Sequence, residues 1–169
     1  IVQLSCSENH YAALTLFGEV YLWGTNTYKE IGRTRVVAMS RPARVEELSR
    51  VIVQKVVCGN RFTACLTSTG ELVILGELRW SGRNDGFVDV CAVNERLWAV
   101  RRDGVVWMND GNQVGGAAQI DRICRGYHGI VGESNGALYS LENQQWVHLA
   151  DVGPCGMSGN RACLVTFKN

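Results

Sequence analysis

This sequence has little proline, almost no net charge and no long apolar stretch. Its 169 residues include two prolines and three histidines, and 17 basic residues nearly balance 16 acidic ones, for a formal net charge of +1. So small a charge predicts no general attraction to nucleic acid or to an anionic membrane. No apolar run approaches the roughly 20 residues of a membrane-spanning helix. The composition therefore argues against nucleic acid and membrane as partners.

Motifs that carry catalysis or metal binding are also missing. The sequence has no His-Glu-x-x-His zinc motif and no Cys-x-x-Cys pair, and Gly115-Gly116 lacks the Lys-Ser/Thr of a phosphate-binding loop. The stretch 109–112 is faintly similar to a calcium loop but has no distal Glu. A Cys–His or Ser–His pair between distant segments stays open, although nothing indicates one. We expect no catalytic residue, no cofactor and no metal, and we do not expect an enzyme.

The chain does contain an internal repeat. Similar residues surround four glycines, each between two short apolar runs: Gly18, Gly70, Gly104 and Gly136. The copies cover about 1–51, 52–86, 87–119 and 120–153, and a partial fifth covers 154–169. One repeat cannot bury its own apolar face and must stack on its neighbours. The recurring residues are therefore expected to be structural, and function is sought in residues that do not recur.

The copies have the pattern of strands joined by tight turns. In the first copy, short β-rich runs cover Val2–Ser5, Tyr11–Thr15 and Val20–Trp23. Asp103-Gly104 is a strong hairpin signal because Gly accepts the positive φ that such a turn needs. The one candidate helix, around 44–50, is short, and strand or loop is favoured there. Several short strands per repeat predict an all-β propeller.

The first copy resembles the regulator of chromosome condensation repeat. That pattern runs Gly-x-x-His-(Ser/Thr)-x-Ala-Leu, then Asp-Gly-x-Val-(Tyr/Phe)-x-Trp-Gly-x-Asn-x-x-Gly-Gln-Leu-Gly. Here it reads His10-Tyr-Ala-Ala-Leu14, then Gly18-Glu-Val-Tyr-Leu-Trp23-Gly24-Thr-Asn26 and Ile31-Gly32, and later copies match less well. The resemblance implies β-propeller blades and a structural role for the family's histidine, carried here by His10 and His128.

The spacing and number of copies depart from this family. Gly18 and Gly70 are 52 residues apart, the family's usual repeat, but the next two spacings are 34 and 32. We therefore expect short or missing outer strands in the second and third blades. The family closes rings of about seven blades, whereas this chain has four copies and part of a fifth.

We expect residues 1–169 to form one propeller domain or part of one, as the C-terminal part of a larger, about seven-bladed propeller. The remaining blades would come from upstream sequence or from another chain, and a free-standing four-bladed ring is the alternative. The strand at 163–167 is expected to pair with a strand outside its own downstream sequence, because an unpaired edge invites aggregation.

The seven cysteines recur with the repeat. Cys6, Cys58 and Cys124 each lie twelve residues before their glycine, Cys91 lies thirteen before, and Cys155 begins the fifth copy at nearly the same place. Equivalent positions should lie about a blade's width apart, beyond the roughly 7 Å Cα separation that a disulfide tolerates. We expect these thiols to be buried, unpaired and spread one per blade. Unpaired cysteines indicate a reducing compartment, hence the cytoplasm or the nucleus.

Two segments do not recur and are the candidate partner-binding sites. The first is an insertion over 33–44 with Arg33, Arg35, Arg41 and Arg44. Arginine makes bidentate bonds to carboxylates and phosphates, so this segment could contact an acidic partner. A solvated loop between blades is the favoured alternative.

The second segment is 77–83, where Arg79 and Arg83 flank Trp80. Arginine and tryptophan are the composition of a binding hot spot. The alternative is that Trp80 folds back to cap its trimmed blade. Both segments follow the third strand of their repeat, so we expect them on one face of adjacent blades.

We expect an intracellular interaction scaffold that presents propeller loops to a protein partner. The resemblance implies two alternatives, nucleotide exchange on a small GTPase and binding to chromatin. The trimmed blades weaken the first, because the family's exchange activity depends on loop insertions. No aromatic residues alternate with the arginines, as base stacking would require, which disfavours nucleic acid. The expected partner is a protein, such as a small GTPase or a multi-subunit complex.

Overall fold

Each copy of the repeat folds into one antiparallel sheet, and four sheets stand side by side as propeller blades. The computed structural model describes residues 1–32, 35–114, 119–126 and 129–151. In these ranges every regular element is a β-strand except one 3₁₀ helix. The predicted all-β fold of propeller blades is confirmed. The fifth copy, with its strand at 163–167, lies outside the described residues.

Strand order within each sheet follows the sequence. Blade 1 contains β1 (Gln3–Cys6), β2 (His10–Leu14), β3 (Val20–Thr25) and β4 (Ala38–Arg44). Blade 2 contains β5 (Val53–Gly59), β6 (Phe62–Thr67) and β7 (Leu72–Gly76). Blade 3 contains β8 (Phe87–Val93), β9 (Arg96–Arg101), β10 (Val106–Met108) and β11 (Gln113–Val114). Blade 4 contains β12 (Arg122–Arg125), β13 (Ile130–Ser134), β14 (Ala137–Glu142) and β15 (Gln145–Asp151).

The repeated glycines make both the turns and the joints between blades. Gly18, Gly70 and Gly104 have φ values of 80°, 85° and 79°. Each carbonyl accepts a hydrogen bond of 2.9–3.1 Å from an N–H where the next blade begins, in the order Val53, Phe87 and Ile120. A side chain at these positions would meet the next blade as well as strain the turn. Their recurrence is structural.

The apolar core lies between blades. One cluster joins blades 1 and 2 and includes Leu22 and Val56, a second joins blades 2 and 3, and a third joins blades 3 and 4. Trp98 is 8% exposed in the third cluster, and Trp146 packs against it.

The outer strands vary as the shortened repeats predicted. The described residues of blade 2 form a three-stranded sheet, and the outer strand of blade 3, β11, has two residues. Blade 4 has a full outer strand in β15. Among the four described blades, trimming is therefore confined to the second and third, as expected.

Two local predictions were wrong in part. Residues 44–50 contain a 3₁₀ helix, Glu46–Leu48, because buried Leu48 turns inward against the core between blades 1 and 2. The second half of the 33–44 insertion is a strand rather than a loop. Strand β4 pairs with β3, and its Met39 packs against the same core.

The thiol prediction holds for only part of the set. Cys58 and Cys91 are buried, but Cys124 is half-buried and Cys6 is exposed. Cys6 lies on the side of blade 1 that faces away from blade 2, where no described blade covers it. Cys6, Cys58 and Cys91 are free thiols. Cys155 lies outside the described residues.

Among the residues that the structure describes, no helix is long and apolar enough to cross a membrane.

Candidate protein-interaction surface

The loops that follow β3 and β7 leave the same end of neighbouring blades. The guanidinium of Arg61, in the turn between β5 and β6, lies 4.6 Å from the ring centroid of Tyr28, in the loop after β3. The Glu77 N–H, at the start of the loop after β7, donates to the Arg61 carbonyl at 3.1 Å. This end of blades 1 and 2 is called the loop end below.

The arginines of the first segment do not form one cluster. Arg35 is exposed in the loop after β3, and Arg41 is exposed within β4. Arg44 closes β4 opposite Tyr21 and forms an ion pair of 3.0 Å with Glu19, which places it at the other end of the blade. Arg33 lies outside the described residues.

The second segment folds against blades 2 and 3. The Trp80 ring is half-buried and meets Phe87 edge to face, with ring centroids 5.3 Å apart. Its Nε1–H donates to the Arg83 carbonyl at 3.0 Å. These are the contacts expected of a tryptophan that caps a trimmed blade. A role of Trp80 in partner binding stays a prediction.

The exposed arginines differ in their charge partners. Arg83 lies 3.4 Å from a carboxylate oxygen of Asp85, and both side chains are largely exposed, so that pair contributes little stability. Within the described ranges, Arg35, Arg41 and Arg79 form no ion pair. Their charges are available to an acidic partner.

Sequence reasoning missed Arg61. Its φ of 64° is that of a tight turn, which holds the guanidinium over Tyr28 at the loop end. The residue pattern does not predict the contact between Arg61 and Tyr28, because the two residues belong to different blades.

No described blade covers one apolar sheet face of blade 1. Blade 2 buries Val56, Cys58 and Leu75 against blade 1. The residues 52 positions earlier, Leu4, Cys6 and Trp23, lie on the corresponding face of blade 1. Leu4 is 71% exposed there, and Tyr11 stacks on Trp23 with ring centroids 5.5 Å apart. We call Leu4, Cys6, Tyr11 and Trp23 the open face.

Reactive chemistry has little support in the described residues. No group of three or more His, Cys, Asp or Glu side chains there could hold a metal ion. Burial raises the pKa of the Cys58 thiol and that of the Cys91 thiol to about 12, so neither forms a thiolate nucleophile near neutral pH. Burial also raises the pKa of the Cys65 thiol.

Two family models match the first blades. The regulator of chromosome condensation (RCC1) repeat matches residues 18–66, and a second model of that repeat matches residues 1–30. The match ends where the repeat spacing shortens.

Several curated proteins contain a similar segment. The chain is 33% identical over 72 residues to Ras guanine nucleotide exchange factor C of Dictyostelium discoideum, which covers 43% of this chain and 5% of that protein. It is 33% identical over 79 residues to the serine/threonine-protein kinase Nek9 of Xenopus laevis, covering 44% of this chain and 8% of the kinase. It is 29% identical over 115 residues to the human E3 ubiquitin-protein ligase HERC2, covering 67% of this chain and 2% of the ligase. The chain thus spans less than a tenth of these relatives.

Solved structures share the fold. Human WBSCR16 superposes with a TM-score of 0.70 at 17% identity, over 88% of this chain and 52% of that one. Prp20p from Saccharomyces cerevisiae superposes with a TM-score of 0.64 at 14% identity, over 82% of this chain and 44% of that one.

Proposed function

Because this chain carries repeats of the regulator of chromosome condensation (RCC1) family, we propose that it is a protein-interaction scaffold whose loop end binds an acidic surface of a protein partner. The observation that carries the proposal is the contrast between blades. Their sheets repeat in register, whereas the loops after β3 and β7 differ and carry Arg35 and Arg79 without ion pairs within the described ranges. Binding residues concentrate on such loops when a rigid scaffold holds them.

The relatives support a binding role for the repeat. It occurs in proteins named as an exchange factor, a kinase and a ligase, and the match covers only a small part of each. A segment shared by proteins of such different chemistry is better explained by recognition than by catalysis. Structures of Prp20p describe its binding to Gsp1p and histones and to Kap60.

Regulation of a small GTPase is the second candidate. Two relatives from Dictyostelium discoideum are named for that activity. One is the Ras exchange factor, and the other is the Rho GTPase-activating protein gacGG, to which this chain is 29% identical over 76 residues. Exchange activity would appear as faster release of a fluorescent guanine nucleotide from a captured GTPase.

Charge reversal tests the proposal. The double variant Arg35→Glu/Arg41→Glu and the variant Arg79→Glu should each lose the partner that the unaltered full chain captures from cell extract. Arg102→Glu is the matched control, since Arg102 is exposed in the turn between β9 and β10, away from the loop end. All variants should melt as the unaltered chain does, because exposed charges contribute little to stability.

The outcomes separate the alternatives. If every loop-end variant still captures the partner from cell extract, the loop end is not the binding surface. Nucleic-acid binding would instead show a steep loss of affinity with added salt.

Trp80 needs its own variant because two interpretations compete. Trp80→Ala should lower the melting temperature, since the ring packs on the core between blades 2 and 3. Truncating a fully buried aromatic costs roughly 3–5 kcal/mol, and half-burial should give the lower part of that range. An unchanged melting temperature together with lost capture would make Trp80 a contact residue instead.

A further inference from the structure

Among the described residues, no strand pairs with the outer edge of the last strand of blade 2. In blade 1, β4 pairs with the outer edge of β3, with Ala43 opposite Leu22 and Met39 opposite Gly24. The residues of β7 that lie 52 positions after Leu22 and Gly24 are Ile74 and Gly76. In the described part of blade 2, β7 is the last strand of its sheet. Its outer edge is therefore equivalent to the edge that binds β4 in blade 1.

Leu72 shows which peptide groups of β7 point outward. Its N–H donates to Oδ1 of Asn84 at 3.0 Å, and its carbonyl accepts from Nδ2 of the same side chain at 2.8 Å. At the matching place in blade 1, the Val20 carbonyl accepts from the N–H of Val45 at 3.0 Å. The Asn84 side chain thus replaces one peptide group of a fourth strand.

Two further residues on this edge have N–H and C=O groups that no described residue uses. Hydrogen-bonding direction alternates along a strand, so the N–H and C=O groups of Ile74 and Gly76 point outward as those of Leu72 do. Within the described ranges neither residue has a hydrogen-bond partner on that side. Ile74 is half-buried and Gly76 is exposed.

The loop after β7 leaves this edge free because it runs toward blade 3. The Ser81 N–H donates to the Asn109 carbonyl at 3.0 Å, and a β-carbon on Gly82 would lie 4.0 Å from the Trp107 ring. The hydrogen bonds from the loop back to β7 come from Asn84.

The outer strands of the other blades carry features that block strand addition. Strand β4 contains Pro42 and two arginines, β11 has two residues, and β15 pairs through a register shift between Leu138 and Tyr139. Proline, charge, shortness and bulges are the means by which proteins protect sheet edges. Strand β7 reads Leu-Val-Ile-Leu-Gly and has neither proline nor charge.

We propose that the outer edge of β7 binds an extended segment of a protein partner as a fourth, antiparallel strand of blade 2. This inference rests on the proposed function, because it specifies how a partner of the scaffold is held. Main-chain hydrogen bonds to Ile74 and Gly76 supply affinity, and alternate side chains supply specificity. Met39 lies opposite Gly24 and packs on the core, so the residue opposite Gly76 should be apolar. Glu77 and Arg79 beside the edge have opposite charges, so the segment needs no net charge.

The test uses the full chain and a synthetic peptide of seven alternating Thr and Val residues, acetylated and amidated at its ends. On titration, the amide NMR signals of Ile74 and Gly76 should shift, and their hydrogen exchange should slow. The matched control is the same peptide with every backbone nitrogen methylated, which removes the N–H donors from both edges of the strand. It should not bind. Equal binding of both peptides, or signal changes confined to other strands, would overturn the inference.

Asn84→Ala gives an independent check. This variant frees the peptide groups of Leu72, so the peptide gains up to two hydrogen bonds and its affinity should rise about tenfold. Asn84→Ser serves if the alanine variant does not fold. Unchanged or lower affinity in the folded variant would contradict strand addition at β7.

The two proposals fail separately. Loss of extract capture in Arg79→Glu without peptide binding at β7 would leave the scaffold proposal in place and remove this inference. If the peptide binds at β7 but no loop-end variant affects capture, the strand-addition inference stands and the proposed role of the loop end is removed.

Discussion

The Nε2 atom of His10 in blade 1 lies 2.7 Å from Oγ1 of Thr63 in blade 2. Thr63 donates its one hydroxyl proton to the Glu30 carbonyl at 2.7 Å, so it must accept from His10. The ring proton therefore resides on Nε2. Nδ1 lies 2.8 Å from the Ser7 hydroxyl and accepts from it. His10 is fully buried and links the two blades as a neutral ring.

Thr63→Val should destabilise the chain although it preserves shape. The change leaves the His10 N–H and the Glu30 carbonyl buried without a partner, which costs about 1–3 kcal/mol. Urea unfolding would measure the difference. Thr27→Val is the matched control at an exposed position and should lie within about 0.5 kcal/mol of the unaltered chain. Equal stability of the two variants would mean that the hydrogen bonds of Thr63 contribute nothing to stability.

The stability of the folded chain should depend on pH through the titration of His10. Burial lowers the pKa of His10 below its ordinary 6.5, and the nearby Glu30 charge offsets part of this effect. The unfolded chain therefore takes up a proton near pH 6.5, while the folded chain resists it to lower pH. Stability from a neutral His10 is present above pH 6.5 and is lost as the pH falls below it.

Unfolding free energies of the unaltered chain and of His10→Gln, measured from about pH 8 down to pH 5, would isolate this effect, since glutamine does not titrate there. The difference between them should shrink as the pH falls. A constant difference would show that His10 is not held neutral.

The fold could be predicted because a repeat shows the same position several times. Gly18 and Gly70 recur since each turn needs a positive φ and each joint needs a close approach of backbone, so the pattern itself identified their roles. His10 was assigned a structural role from its family position, and its burial agrees with that role. Its partner Thr63 could not be found, because a contact between blades joins residues that no periodicity connects.

The errors arose where burial depends on a neighbour or where a strand has no fully buried side chain. Strand β4 shows little alternation because Met39 is its main contact with the core, and Pro42 resembles a loop signal. Cys6 shares its register with buried Cys58, yet the surface over it depends on what packs against blade 1. The binding roles of the arginines remain predictions, since exposure alone does not identify a partner.

Gly70→Ala should destabilise the joint between blades 2 and 3. Positive φ costs a non-glycine residue roughly 1–2 kcal/mol. A β-carbon at Gly70 would also lie 2.9 Å from the Phe87 carbonyl oxygen, and overpacking of this kind adds about 1–3 kcal/mol. Gly82→Ala is the control, because Gly82 has φ of 107° but its nearest contact would be 4.0 Å away. Thermal unfolding of both variants separates contact from backbone strain, and equal losses would contradict the close-approach explanation.

The open face of blade 1 carries a cysteine that should react quickly. Cys6 is exposed there, whereas Cys58 at the equivalent position of blade 2 is buried and has its pKa raised to about 12. A short pulse of N-ethylmaleimide on the purified chain, followed by peptide mass spectrometry, should label Cys6 quickly and Cys58 very slowly, because only an accessible thiolate reacts.

The same N-ethylmaleimide pulse applied to native cell extract tests whether another blade covers this face. The face repeats, in register, a surface that blade 2 buries against blade 1, so a further propeller blade fits it better than solvent does. Leu4, 71% exposed beside Cys6, would be buried by the same contact. We therefore expect Cys6 to become protected in the extract, while Cys91, buried between blades 3 and 4, stays slow in both samples. Equally fast labelling of Cys6 in the two samples would mean that no additional blade packs here.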